Sequence, residues 1–375
     1  MSFVLIALLL TSCTFSVEVL PTATASAPTV TALPPTFTPV PVITFASPSE
    51  TPTAISIRSE TTYLLEVINT FQLGDSVHGL AFTPNSSVLA AAGGNNDDFS
   101  IRLWDVINGR SLGTLGEHNG IVWSVAFSPD GQLLASVSSD ATAKIWDWRS
   151  KTLIKSLDFP AEVSSVSFSP DGQILAIGGV DEPENQIRNA AIWTFAVGSW
   201  QPLLKFREYL NVTAMAYSPQ GGTLIGGGTS RNVQVWRASD GAPVFTLSHA
   251  HQVAKVAILP DGSTVATATC ITVVNAECTN GGVWLWDLPS GKLSRKLAGF
   301  PSVVENVDFS ADGSALIAAS RDGTLRFYST VDYVQISELI SPGGISALAL
   351  SPDGAFLAIG NNGGGIQLWK NVYHP

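Results

Sequence analysis

Charge is scarce in this chain of 375 residues: only 13% are Asp, Glu, Lys or Arg, and 30 acids against 19 bases leave a formal net charge of −11. No cluster of Lys and Arg is present, so the phosphate-neutralising surface that nucleic-acid binding requires is missing, and the acidic excess serves solubility. Cysteine occurs only three times, which excludes a disulfide-dense small scaffold. No phosphate-cradling Walker loop and no helical zinc motif occurs, and neither a cofactor nor a metal is expected. Long hydrophobic runs are lacking too. A membrane-spanning helix needs about 20 apolar residues, and FVLIALLL, from Phe3 to Leu10, is far too short. Apolar residues nevertheless make up 45% of the chain and tryptophan occurs 10 times, so material for a large core is at hand.

The first 60 residues stand apart. The run ends in Leu10-Thr11-Ser12-Cys13, which resembles the lipobox of bacterial lipoproteins, although no Lys or Arg precedes it. That resemblance implies that residues 1–12 are a signal peptide and that Cys13 is acylated and becomes the mature N-terminus. An ordinary or uncleaved signal peptide is the alternative. Acyl chains contribute about 0.8 kcal/mol per buried CH₂, so two or three would hold the protein at a membrane without a spanning helix. From Cys13 to about residue 60 the composition is Pro, Thr, Ala and Ser, as in VLPTATASAPTVTALPPTFTPVPV. Such a segment buries too little apolar surface to offset ordering entropy and reads as a tether with a reach on the order of 100 Å.

A repeat occupies residues 61–375. Its turn recurs as TPNS at Thr83, SPDG at Ser128, SPDG at Ser169, SPQG at Ser218, LPDG at Leu259, SADG at Ser310 and SPDG at Ser351, spaced 41 to 51 residues apart. Such a period suits propeller blades. The apolar spacing around each turn is two, as in VWSVAF from Val122, and Pro-Asp-Gly is turn chemistry, so each unit opens with a β-hairpin. A strand of small residues follows, for example LAAAGG at Leu89 and LASVSS at Leu134. Blades crowd together near a central axis, so inner strands need small side chains. The third strand ends in an aromatic, successively Trp104, Trp146, Trp193, Trp236, Trp286, Tyr328 and Trp369. Each ring suits the wedge that widens away from the axis.

This pattern resembles the WD40 family from about Tyr63 to Tyr373. The Trp-Asp signature stands at Trp104-Asp105, Trp146-Asp147 and Trp286-Asp287 and is degenerate elsewhere. The resemblance implies an all-β fold, a seven-bladed β-propeller of four-stranded antiparallel blades. The last repeat lacks an outer strand, and YLLEVINTFQL, from Tyr63 to Leu73, reads as the N-terminal strand that completes it and removes the unpaired edges of an open ring.

In WD40 blades a His, a Ser or Thr, an Asp and the Trp often form a hydrogen-bonded set, which here maps to His118, Ser136 or Ser138, Asp140 and Trp146. The fifth blade keeps a partial set of His249, Asn280 and Trp286. These residues are expected to be structural, because a buried Trp N–H or Asp without partners costs about 1 to 3 kcal/mol. No catalytic residue is expected. Gly74-Asp75-Ser76 superficially matches the Gly-Asp-Ser nucleophile of some ester hydrolases but falls between two strands rather than on a strand-to-helix turn, and His374, in the terminal tail, has no Asp nearby. Cys270 and Cys278 are expected to pair as a disulfide, since a zinc site needs two more ligands. Asp181, Glu182 and Glu184 belong to an expanded loop that reads as solvated.

Residues just after the first apolar position of each inner strand lie at the channel rim in WD40 propellers: His78, Trp123, Ser164, Thr213, Ala254, Glu305 and Ser346. They read as a partner-binding rim not needed by the core, with Trp123 read either as a binding anchor or as a ring packed under a neighbouring loop. The whole is read as a monomeric, extracytoplasmic, lipid-anchored, non-catalytic protein-interaction scaffold with protein partners and no nucleic acid. The alternative is an extracytoplasmic enzyme or small-molecule binder using the channel mouth.

Overall fold

The computed structural model describes residues 65–371, except 96–97, 182–188, 210–211 and 230. Cys13, the apolar run, the tether, Tyr63, Glu182, Glu184 and His374 lie outside the described residues.

Among the described residues twenty-eight strands form seven sheets of four, so the protein is a seven-bladed propeller. Blade one, for example, runs Val77–Phe82, Val88–Gly93, Ser100–Asp105 and Ser111–Glu117, from axis to rim. The local cause of each hairpin is the repeated turn. In blade two the Ser128 hydroxyl donates to the Asp130 carboxylate and accepts the Leu133 amide at 2.9 Å, while Gly131 takes φ +67° and donates to the Ser128 carbonyl. Where the first repeat has Ser instead of Gly, Ser86 adopts the same left-handed conformation at φ +59°.

Second strands are small because neighbouring blades meet there. All six residues of Val88–Gly93 are buried, and in blade three a Cβ on Gly178 would stand 2.8 Å from the Val212 side chain of the next blade. The third-strand aromatics fill the outer wedge: Trp104, Trp146, Trp236, Trp286, Tyr328 and Trp369 are buried, and Trp193 is half-buried against Phe159 and Lys205. The ring closes through its first strand. Leu65–Gln72 lies antiparallel to Gly365–Asn371 with Leu65 opposite Asn371 and Gln72 opposite Gly365, completing the seventh blade. Phe71 then stacks on Trp104 of blade one at 5.2 Å and ties the seam into the core.

Strand direction sorts the loops. First strands begin at one end of the disc and second strands return to it, so the hairpins between second and third strands share that end, the mouth. The closing strand runs the other way along its blade: Leu65 pairs with the last residue of a third strand, at the end opposite the mouth. Blade five departs from the repeat. Its second and third strands, Thr264–Val274 and Glu277–Asp287, have 11 residues each where blade one has 6, and project as an arm from the mouth end. Cys270 and Cys278 are joined by a disulfide across this arm.

Candidate functional site

Six of the seven inner strands carry a β-bulge between their first and third residues, from Val77/Gly79 to Val304/Asn306. The extra residue is turned out of the ladder toward the axis. These residues surround a cavity of about 370 Å³ at the mouth, lined by His78, Trp123, Ser164, Thr213, Ala254, Glu305 and Ser346 together with Glu162, Gln252 and Lys255.

Lining is not the same as availability. The Ser164 hydroxyl donates to the Val212 carbonyl of the next blade at 2.8 Å, Thr213 to Val253 at 3.4 Å, and Ser346 to Val77 at 2.6 Å. These three side chains staple neighbouring inner strands, which corrects the expectation that the rim is dispensable to the fold. Its physical reason is proximity: converging strands leave a short hydroxyl within reach of the next backbone. Glu305 accepts a hydrogen bond from Arg321 Nε at 2.7 Å and is neutralised by that guanidinium. What remains chemically open is the aromatic pair and a lysine. The His78 and Trp123 rings lie 4.9 Å apart across the boundary of blades one and two. His78 Nε2 and Trp123 Nε1 are buried with no hydrogen-bond partner among the described residues. Burial pushes the His78 imidazole down against a hydrogen bond with Asn95 and the charge of Asp75, so it is neutral at pH 7. Lys255, one position beyond the rim residue, is a further lining residue whose signal in the sequence is a lone charge on an otherwise uncharged inner strand.

His118, Asp140 and Trp146 meet at one hydroxyl. His118 Nδ1–H donates to Asp140 Oδ2 at 3.0 Å, Ser136 Oγ–H donates to His118 Nε2 at 2.8 Å, and Trp146 Nε1–H donates to Ser136 Oγ at 3.0 Å. The ionised carboxylate only accepts, which fixes the proton on Nδ1. Burial pushes the Asp140 carboxyl up, yet hydrogen bonds from His118, the Asn119 amide and Thr142 outweigh it and hold the group well below the usual carboxylate range. Burial pushes His118 down and keeps it neutral. A serine, histidine and aspartate in this order suggest acyl-transfer chemistry, but Ser136 and the His118 side chain are both 0% exposed, so no substrate can reach the hydroxyl. Ser138 stands aside, donating to the Gly120 carbonyl at 3.0 Å.

Blade five repeats the set with Thr267, which donates to His249 Nε2 at 2.8 Å and accepts Trp286 Nε1–H at 3.2 Å. Asn280 does not join it. It lies on the arm and accepts the Gly299 amide at 3.0 Å, because lengthening the hairpin carries it away from the histidine. Asp181, expected in a solvated loop, is buried and paired with Lys205 at 2.8 Å; the fourth strand of its own blade supplies the cation. Ser76 Oγ donates to the Asn362 carbonyl at 2.8 Å across the ring seam, a bond of closure rather than of hydrolysis. Among the described residues no group of three or more His, Cys, Asp or Glu is placed to hold a metal ion.

Comparison with known proteins agrees with this geometry. The WD domain, G-beta repeat, matches residues 66–105, 109–147, 151–182, 200–237, 291–329 and 334–370. These are six matches for seven sheets, and most of blade five is the unmatched one, its long arm breaking the repeat length. The chain is 28% identical to periodic tryptophan protein 2 of Arabidopsis thaliana over 289 residues, which cover 72% of this chain and 31% of that protein. It is 28% identical to target of rapamycin complex subunit wat1 of Schizosaccharomyces pombe, covering 61% of this chain and 70% of that one. It is 25% identical to transcription initiation factor TFIID subunit 5 of Caenorhabditis elegans, covering 62% and 34%. The alignments thus span about a third of the length of the first and third relatives.

Proposed function

The chain belongs to the WD40 repeat family, and from that premise we propose that it is a non-catalytic protein-interaction scaffold that docks its partner on the channel mouth and is held at the outer face of a membrane by lipid on Cys13. The observation that carries the docking site is the His78–Trp123 pair, a large aromatic surface lining an open cavity where the staples of other blades present only engaged hydroxyls. Aromatic side chains beside a cavity are the usual energetic anchors of interfaces. Two relatives are named as subunits of assemblies, a target of rapamycin complex and a transcription initiation factor. Membrane attachment rests on the lipobox-like Leu10-Thr11-Ser12-Cys13.

Two experiments test the reading. Cys13→Ser should move the protein from the membrane to the soluble fraction; retention at the membrane sinks the anchor. Co-purification from native membranes should lose a specific protein when Trp123→Ala is compared with wild type. An unchanged partner set rejects the mouth as the docking face.

A further inference from the structure

The inner strands of all seven blades carry only three charged residues: Lys255, Glu305 and Asp308. Glu305 is taken by Arg321. Asp308 lies two residues deeper than Asn306, does not line the mouth cavity, and accepts the Phe309 amide at 2.9 Å. Lys255 lines the cavity, is water-accessible, and makes no ion pair with any described residue. The corresponding residues of other blades are Gly79, Ser124, Ser165, Ala214, Asn306 and Ala347, none of them charged. The lumen surrounds it with protein, and that burial pushes the lysine pKa down against the charge of Asp308. The mouth thus holds a reachable cation whose counter-ion Asp308 is not within ion-pair distance, and an aromatic pair on blades one and two across the axis from blade five.

We infer that the mouth takes a carboxylate of a protein partner, held by Lys255, with the apolar part of the same residue against Trp123. This rests on the mouth being the docking face. Of the ligand chemistries available, a basic group would meet Lys255 head-on. A phosphate-rich chain would meet one lysine and the carboxylates of Glu162 and Glu305 lining the same cavity. A single carboxylate matches a single ammonium. A cavity of about 370 Å³ admits a chain end or one acidic side chain, not the surface of a folded domain. Asp308 competes for the same ammonium, so removing it should strengthen the site while removing Lys255 abolishes it. A merely structural pair would not respond with opposite signs.

The test uses the full chain and three probes: an N-acetylated tetrapeptide ending in leucine with a free α-carboxylate, its C-terminal amide, and an amide with glutamate in place of that leucine. Binding is followed through the Trp123 indole N–H by two-dimensional NMR. At least one carboxylate probe should bind and the leucine amide should not, and which one binds separates a chain terminus from an acidic side chain. Lys255→Met should weaken binding by about tenfold or more, the value of a charge-assisted hydrogen bond. Lys255→Arg should retain most of it, and Asp308→Asn should tighten it. Equal binding of amide and carboxylate, no binding of either carboxylate, or weaker binding by Asp308→Asn would overturn the inference. If Trp123→Ala strips the native partner while Lys255→Met does not, the docking face stands and the carboxylate is refuted.

Discussion

Replacing Ser136 by alanine removes one oxygen atom, and the geometry of blade two makes that oxygen unusually costly. Its proton satisfies His118 Nε2 at 2.8 Å and its lone pair satisfies Trp146 Nε1–H at 3.0 Å. All three side chains are buried, so water cannot take its place. Each orphaned buried group costs about 1 to 3 kcal/mol, so Ser136→Ala should lower stability by about 2 to 6 kcal/mol, a large share of a typical domain's total. Equilibrium unfolding in urea measures this as a shift in midpoint at constant slope. Ser136→Thr supplies the control, because Thr267 holds the same two partners in blade five. It should stay within about 1 kcal/mol of wild type. Trp146→Phe removes one of the two stranded groups in advance, so combining it with Ser136→Ala should show a coupling of about 1 to 3 kcal/mol. A loss under about 1 kcal/mol for Ser136→Ala, or threonine as damaging as alanine, would refute the claim that this hydroxyl is the hub of the set.

Phe71→Ala should cost about 3 to 5 kcal/mol, since the ring is 6% exposed and stacked on Trp104 at the seam; aggregation by size exclusion should rise with it as the closing strand loosens. Burial pushes His249 down to about 4, below its unfolded value near 6.5, so the unfolded chain binds the extra proton first and stability should fall as pH drops from about 6.5 to 4, by about 3 kcal/mol from this residue. His249→Gln should flatten that part of the pH profile of urea midpoints, and an unaltered slope would contradict it. Asp308 acts in the opposite sense: burial raises it to about 6, so its contribution is lost as pH rises from about 4 to 6. Reducing the Cys270–Cys278 bond, which spans 8 positions, releases about 2 to 3 kcal/mol of constraint within one hairpin. Hydrogen exchange across Thr272–Thr279 should accelerate while the global unfolding midpoint stays near its oxidised value; a matching global loss would show the arm to be part of the cooperative core.

What repeats was legible. Period, turn chemistry, small second strands and aromatic third strands each follow from the geometry of a ring, so seven copies of one pattern carried blade number and strand order, and the unpaired last repeat pointed to Leu65–Gln72 as its partner. Contacts between blades were harder to read. That Ser164, Thr213 and Ser346 bond to carbonyls 40 or more residues away, or across the ends of the chain, depends on how closely inner strands converge, which no local spacing encodes. Asn280 was misplaced for a related reason: an 11-residue strand moves every residue on it relative to the 6-residue frame of the other blades. Lys255 escaped because alternation fails at a bulge, and the residue after the bulge, expected to face the neighbouring blade, also borders the lumen.

The departures from the repeat therefore carry more information about function than the repeat does. A position fixed by blade packing must be small, β-branched or aromatic in every copy, whereas a position left out of the ladder by a bulge can hold anything. Of the seven positions after the first apolar residue, four hold Ser, Thr or Ala, and the habit breaks at His78 and Trp123 on one side and at Glu305 on the other, with Lys255 one position beyond Ala254 on the same paired strand. The arm of blade five rises from the same end and continues the strand that pairs with the one holding Lys255. The His78 and Trp123 ring nitrogens at the mouth lack a hydrogen-bond partner among the described residues, as do Trp284 Nε1 and Thr223 Oγ1 outside the mouth lining, and Lys255 has no counter-ion within ion-pair distance. At the mouth the unpaired ring nitrogens coincide with an open cavity and a reachable cation, and that coincidence, rather than the lack of partners by itself, points to the surface that a partner completes.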